Sequence, residues 1–142
     1  MVVSASVNND NVTYEGNIPG NTVARRVARS RVFVLPSLNE PWGNVLVTAL
    51  SIGIPVVVTR SAALAHEIQD GGVGIVVPDC DGVAIANAVH EVISLAESDY
   101  DELATRCREF ASKRFGNSDV SAKLEQIYRE ALAISAKLES AG

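Results

Sequence analysis

Apolar residues along this chain fall into two patterns. Short unbroken runs occur at residues 32–35 (VFVL) and 56–58 (VVV), and a third at residues 74–77 (GIVV) ends at Pro78. Runs of this length without polar alternation mark strands covered on both faces, as in parallel sheets. Residues 2–6 are short and apolar enough for a further strand. Residues 12–15 (VTYE) alternate as another strand would, before a turn region at residues 16–20.

Elsewhere apolar positions recur every three or four residues, which predicts helices. Residues 21–29 (NTVARRVAR) read as a helix capped by Asn21 or Thr22, with Val23, Val27 and Ala24 or Ala28 facing inward. Arg25, Arg26 and Arg29 lie toward its end, where they suit the negative pole of the helix dipole. After the first apolar run comes a short polar loop, then a helix with Asn39 or Glu40 as cap and Pro41 at its first position. Glu40, Asn44 and Thr48 are spaced four apart and line one face, leaving Trp42, Val45, Leu46, Ala49 and Leu50 to pack inward. Gly53 ends this helix and Pro55 leads into the next strand.

Residues 61–72 predict a loop and a short helix closed by Gly71 and Gly72. Asp79 or Asp81 caps a helix at about residues 83–96, whose Ile85, Val89, Val92 and Ala96 share a face. Another helix spans about residues 99–114, and Ser118 caps a last one reaching about Leu138. Strands alternating with helices predict an α/β fold: a Rossmann-like parallel sheet with right-handed crossovers, helices on both faces and a helical C-terminal extension. The free N–H groups of the central helix start, around Gly43 and Asn44, then sit at the carboxyl end of a parallel strand. Such a place attracts phosphate.

Composition narrows the picture. A length of 142 residues at 47% hydrophobic content predicts one domain, residues 1–142, with a proper core. Twelve basic against 17 acidic residues give a net charge of −5, which argues against a dedicated nucleic-acid surface. Cys80 and Cys107 have neither zinc nor disulfide-framework spacing and read as reduced thiols. The N-terminus lacks the basic start and apolar segment of a signal peptide. The longest apolar run is interrupted by Thr48, Ser51, Gly53 and Pro55, and is shorter than the ~20 residues of a spanning helix. A soluble, cytoplasmic protein is expected, with peripheral contact at the inner membrane face compatible with this composition. His66 and His90 have no Asp or Cys at useful spacing, and His90 falls on the outer face of its helix, so neither is expected in catalysis. The chain contains no P-loop, no GxSxG and no HxxxH.

Taken in order, VFVLPSLNEPWGNVLVTALSIGIPVVVT and EIQDGGVGIVVPDCDGVAIANAV resemble the carboxyl-terminal, donor nucleotide-sugar-binding half of the group 1 retaining glycosyltransferases of GT-B fold. That class includes glycogen and sucrose synthases and many mannosyl- and glucosyltransferases. The resemblance covers about residues 12–132 and implies transfer of a hexose from a nucleotide diphosphate sugar to an acceptor, with no metal or other cofactor.

It also implies site roles. Glu40 accepts hydrogen bonds from donor-sugar hydroxyls, and the backbone N–H groups of Trp42, Gly43 and Asn44 approach the sugar and diphosphate. A carboxylate suits a hydroxyl-rich ligand, and Gly43 permits close backbone approach. Eight residues after Glu40 the family keeps a second Glu for both ribose hydroxyls; here that position is Thr48. A threonine cannot hold two vicinal hydroxyls as a carboxylate does, so the ribose is held more weakly or read differently. The Gly-Gly pair that normally follows the PVV strand is Ser61 and Ala62. The family's diphosphate-clamping Arg and Lys match no motif here: the sequence begins after that pair or carries a shortened version of it.

Other readings stand beside these. Glu40 also fits a helix-start acid, Thr48 a helix residue bonding its own backbone, and Trp42 a core or cleft-wall residue. An isolated donor half is expected to bind without turnover, because catalysis needs the amino-terminal acceptor-binding domain, in this chain or another. The alternative is an interaction or oligomerisation domain that has lost donor binding. The last predicted helix carries Val120, Leu124, Ile127, Ala131, Ile134 and Leu138 as an apolar stripe, expected to fold over the domain or to form a homodimer.

Overall fold

The computed structural model describes residues 12–38, 43–79 and 81–116. The strand expected at residues 2–6, the loop residues Glu40 and Trp42, Cys80 and the last predicted helix lie outside them. The element order is α1 (Gly20–Val27), β1 (Phe33–Leu35), α2 (Asn44–Ile52), β2 (Val56–Thr59), α3 (Ala65–Gly71), β3 (Gly74–Val77), α4 (Gly82–Ile93) and α5 (Glu97–Phe115).

The three strands form a parallel sheet in the order β1-β2-β3, with Phe33 opposite Val56 and Val56 opposite Gly74. All four residues of the middle strand β2 are buried. Because side chains alternate between faces, Val56 and Val58 pack with Val27 of α1, Leu46 and Leu50 of α2, Ile68 of α3 and Leu103, Cys107 and Ala111 of α5. Val57 and Val77 face the other way, onto Ala88 and Val92 of α4. The unbroken valine run is thus explained: each side of β2 meets a different helical layer.

Several expectations change. Residues 12–15 form no strand, and Val12 and Tyr14 stand 54% and 72% exposed. Alternation specifies a strand only where a neighbour supplies a ladder, and no described strand pairs with this segment. β1 is half-buried rather than covered on both faces, because it borders the described sheet. Helix α1 has Pro19 as N-cap in place of Asn21 or Thr22; the Pro19 carbonyl accepts the N–H groups of Thr22 and Val23. α4 ends at Ile93, so Ala96 leaves its apolar face and becomes the exposed N-cap of α5. Of the two candidate caps for α4, Asp81 serves, accepting from the N–H groups of Val83 and Ala84 at 3.0 Å.

One latch joins the start of β1 to the start of α5. The Tyr100 hydroxyl donates to the Arg31 carbonyl at 2.9 Å, and the Arg31 guanidinium lies 4.3 Å above the Tyr100 ring and 3.1 Å from Glu97 Oε2. Burial pushes the Tyr100 hydroxyl up against the opposing pull of Arg31, which keeps it a donor. Arg31 and Glu97 are both well exposed, so Arg31→Ala is expected to cost only about 1 kcal/mol. Urea unfolding checks this: a midpoint lowered at unchanged slope is the expected result. Cys107 is buried with its thiol on the Val73 carbonyl at 3.4 Å; burial pushes its pKa up to about 11, which makes it an unreactive core residue.

Candidate functional site

The carboxyl ends of parallel strands collect the loops that follow them, and here those loops are tied to one another. Thr59, wholly buried at the end of β2, donates its hydroxyl to the Ser37 carbonyl after β1. The Arg60 N–H donates to the Val77 carbonyl at 3.0 Å, and the Ser61 N–H to Asp79 Oδ1 at 3.0 Å. Asp79, expected to compete for the α4 cap, therefore braces the loop in which Ser61 and Ala62 replace a glycine pair. These bonds tie the three strand-end loops into one rim.

The start of α2 differs from expectation. Its N-cap is Gly43, at φ 56° and ψ 24°, with no side-chain cap bond. A residue in the left-handed region cannot lie inside a right-handed helix. The cap placed at Asn39 or Glu40, with Pro41 as first helical residue, is thus corrected by three to four positions. Asn44 and Thr48 keep the shared helical face, and α2 itself begins at Asn44, after the position of Glu40 in the sequence. Trp42 likewise precedes the helix, so helical spacing no longer argues for its packing inward. Both residues lie outside the described structure.

The Gly43 carbonyl accepts the first bonds of the helix, from the N–H groups of Leu46 at 2.8 Å and Val47 at 3.1 Å. The N–H groups of Asn44 and Val45 come before that first bond and have no helical acceptor. They sit beside the loop after β1, where the positive pole of α2 adds its partial charge. Gly43 itself is buried; a Cβ there would lie 3.3 Å from Leu46 Cδ1 and 3.3 Å from Leu64 Cδ1. Leu64, from the loop after β2, thus packs under the turn.

Thr48 is half-buried and donates its hydroxyl to the Asn44 carbonyl at 3.1 Å. Its one proton is engaged, so toward a ligand it offers lone pairs only. Arg60, exposed on the rim directly after β2, was not singled out by the sequence. An isolated arginine after a strand has no motif; only its position at the end of VVVT marks it. Arg25 and Arg26 lie in the last turn of α1, with Arg26 paired to Glu15 at 2.5 Å. His66 does have an acidic partner, contrary to expectation: its Nδ1 lies 2.9 Å from Asp70 Oδ2, four residues on, and both side chains are largely exposed. Glu67 pairs with Arg114 at 3.7 Å. Among the described residues no three His, Cys, Asp or Glu come together in a metal-holding group, and no helix is long and apolar enough to cross a membrane.

A rim at the carboxyl ends of parallel strands, with a helix start facing it, fits the resemblance drawn from the sequence. Residues 4–114 match the family described as glycosyl transferases group 1. The chain belongs to that family. This member of the family is 33% identical over 128 residues to an uncharacterized 41.2 kDa protein in the cps region of Klebsiella pneumoniae, a match covering 89% of the chain and 35% of the relative. It is 26% identical to the phosphatidyl-myo-inositol mannosyltransferase of Mycobacterium leprae, over 93% of the chain and 35% of that protein. Among solved structures it resembles sucrose-phosphate synthase from Thermosynechococcus elongatus with a TM-score of 0.73 and 28% identity, over 88% of the chain and 31% of the synthase. The chain spans about a third of the length of these relatives. Group 1 membership and the Rossmann-like α/β fold, both expected from the sequence, are borne out.

Proposed function

We propose that this chain is the donor half of a retaining hexosyltransferase and binds a nucleotide diphosphate sugar at the mouth between α2 and the loop after β2. The observation that carries this reading is the left-handed Gly43. It sets the N–H groups of Asn44 and Val45 ahead of the first helical bond, on a rim braced by Thr59 and Asp79. A diphosphate there meets amide donors, the helix dipole and Arg60 as a cation on the same rim.

Glu40 takes the sugar hydroxyls in this reading, and the amides at Trp42, Gly43 and Asn44 take the sugar and diphosphate. Thr48 accepts from one ribose hydroxyl, having no proton left to give. In the transfer the bond from the anomeric carbon to the diphosphate breaks, with the electron pair leaving on phosphate oxygen. The acceptor oxygen forms the new bond to that carbon, and its proton passes to the departing phosphate oxygen. The donor half stabilises the charge that develops on the leaving diphosphate. Positioning the acceptor falls to the amino-terminal domain, supplied by this polypeptide or another, so the 142-residue chain binds without turning over. We place the protein in the cytoplasm, where nucleotide sugars are made.

Titration calorimetry with a panel of nucleoside diphosphates and their sugars tests this. Millimolar or tighter binding by one of them is expected, weakened about tenfold or more by Glu40→Ala through loss of charge-assisted hydrogen bonds. One observation favours a second reading: the engaged Thr48 hydroxyl stands where a carboxylate would hold the ribose. If no ligand in the panel gives heat, the chain is an interaction or oligomerisation domain on the same scaffold.

A further inference from the structure

The charge of this chain is unevenly placed. The whole carries −5, yet residues 12–38 hold Arg25, Arg26, Arg29 and Arg31 against the single acid Glu15. A third of the 12 basic residues therefore fall within one short span. Arg31 is committed to the latch with Glu97 and Tyr100. The other three lie close together: Thr22, Arg25 and Arg26 of α1 and Arg29, two residues past its end, line one open concavity of about 460 Å³. Arg26 is partly neutralised by Glu15, whereas Arg25 and Arg29, both exposed, turn their charge to solvent, where an external anion can meet it.

A second observation concerns what lies beside these arginines. The ion pair between Arg26 Nη2 and Glu15 Oε1, at 2.5 Å, pins the segment that precedes α1 against the helix. Next to Glu15, Tyr14 stands 72% exposed, and Val12 is 54% exposed. An exposed tyrosine and valine next to an arginine cluster match the chemistry of a phospholipid interface. Phosphate headgroups meet the guanidinium groups, and the amphipathic ring sits at the level of the acyl boundary.

We propose that Arg25 and Arg26 of α1 and Arg29 in the turn after it, with Tyr14 and Val12, dock on an anionic phospholipid surface. Lipid is favoured over nucleic acid because the remaining surface is acidic and would repel an extended polyanion, whereas a flat membrane needs only one face. Docking there leaves the donor mouth open. α1 runs into β1 through Ser30 and Arg31, so Arg29 lies at the amino end of the sheet, opposite the rim. The inference is independent of what the mouth binds.

Co-sedimentation of the full chain with vesicles tests it. Binding is expected to vesicles of phosphatidylcholine mixed with phosphatidylglycerol, not to phosphatidylcholine alone, and to fall steeply toward roughly 0.5 M salt. Arg25→Gln with Arg29→Gln, both exposed and neither in the core, is expected to lower the partition constant about twentyfold with an unchanged melting curve. Tyr14→Ser is expected to lower it severalfold at unchanged charge. Binding that ignores the anionic lipid, or that survives loss of both arginines, overturns the proposal. So does retention on heparin with no partition to vesicles, which would assign the cluster to a soluble polyanion.

Discussion

Gly74→Val is expected to abolish folding of the domain. Gly74 opens β3 and pairs with Val56 in the middle of the sheet. A Cβ built there collides with the Val56 carbonyl, and approaches Val56 Cγ2 to 2.7 Å and Ile68 Cγ2 to 3.0 Å. Val56 and Ile68 are wholly buried, so neither side chain has space to turn into, and the carbonyl belongs to the strand itself. Relief requires β3 to move away from β2. That movement separates Ile75, Val76 and Val77 from both helical layers. Overpacking a core side chain costs about 1–3 kcal/mol, and displacing a central strand pair adds to it, against a total stability of about 5–15 kcal/mol. The loss shows as insoluble protein or a featureless near-ultraviolet spectrum. Gly82→Ala is the control: nothing lies within 4 Å of its Cβ, and it begins α4, so a change within about 1 kcal/mol is expected, in the stabilising direction. A folded Gly74→Val protein of normal stability would refute the Val56 to Gly74 register.

The same strand pair shows why much of the fold was legible. VVV and GIVV are continuous apolar runs because each side of the sheet meets its own layer of helices. Pattern alone shows that, as it shows the Gly53 and Gly72 stops; it narrowed the α4 cap to Asp79 or Asp81, and the structure selects Asp81. VTYE misled because alternation reports a solvent-facing side and a core-facing side only when a neighbouring strand exists. The start of α2 misled for a different reason. Pro41 after an acid is a strong local signal, but Gly43 takes the left-handed conformation, and Leu46 and Leu64 close around it. Contacts distant in sequence decide that, and no helical periodicity carries them. The turn at Gly43 and Asn44 was readable because loop chemistry marks it; the place of Arg60 at the carboxyl end of β2 was not, since it follows from the sheet. The His66 and Asp70 pair, by contrast, has the ordinary spacing of helix neighbours and was there to be read.

Gly43→Val is expected to remove donor binding altogether while leaving a folded, weakened protein. A β-branched residue at φ 56° is sterically excluded from the conformation that Gly43 holds, and its side chain would press on Leu46 Cδ1 and Leu64 Cδ1, each already 3.3 Å from the first added carbon. Both leucine contacts end in flexible methyl groups, so the core can shift; a stability loss of about 2–3 kcal/mol is expected, read from urea unfolding. Binding suffers more. To escape the left-handed region the chain must rotate at position 43. The N–H groups of Asn44 and Val45 then swing off the rim, and the first helical bonds from Leu46 and Val47 to the Gly43 carbonyl are lost with them. Glu40→Ala removes one acceptor from an otherwise intact site, whereas Gly43→Val misdirects the amide donors and the helix start aimed at the diphosphate and leaves only Arg60 in place. The expected calorimetric order is therefore wild type, then Glu40→Ala about tenfold weaker, then Gly43→Val with no measurable heat. Gly43→Ala separates strain from bulk: it keeps the conformational penalty of about 1–2 kcal/mol but adds only the one carbon, so weak binding survives. Full affinity in Gly43→Val would mean that the ligand does not touch the start of α2, and the donor site would have to be sought elsewhere on the molecule.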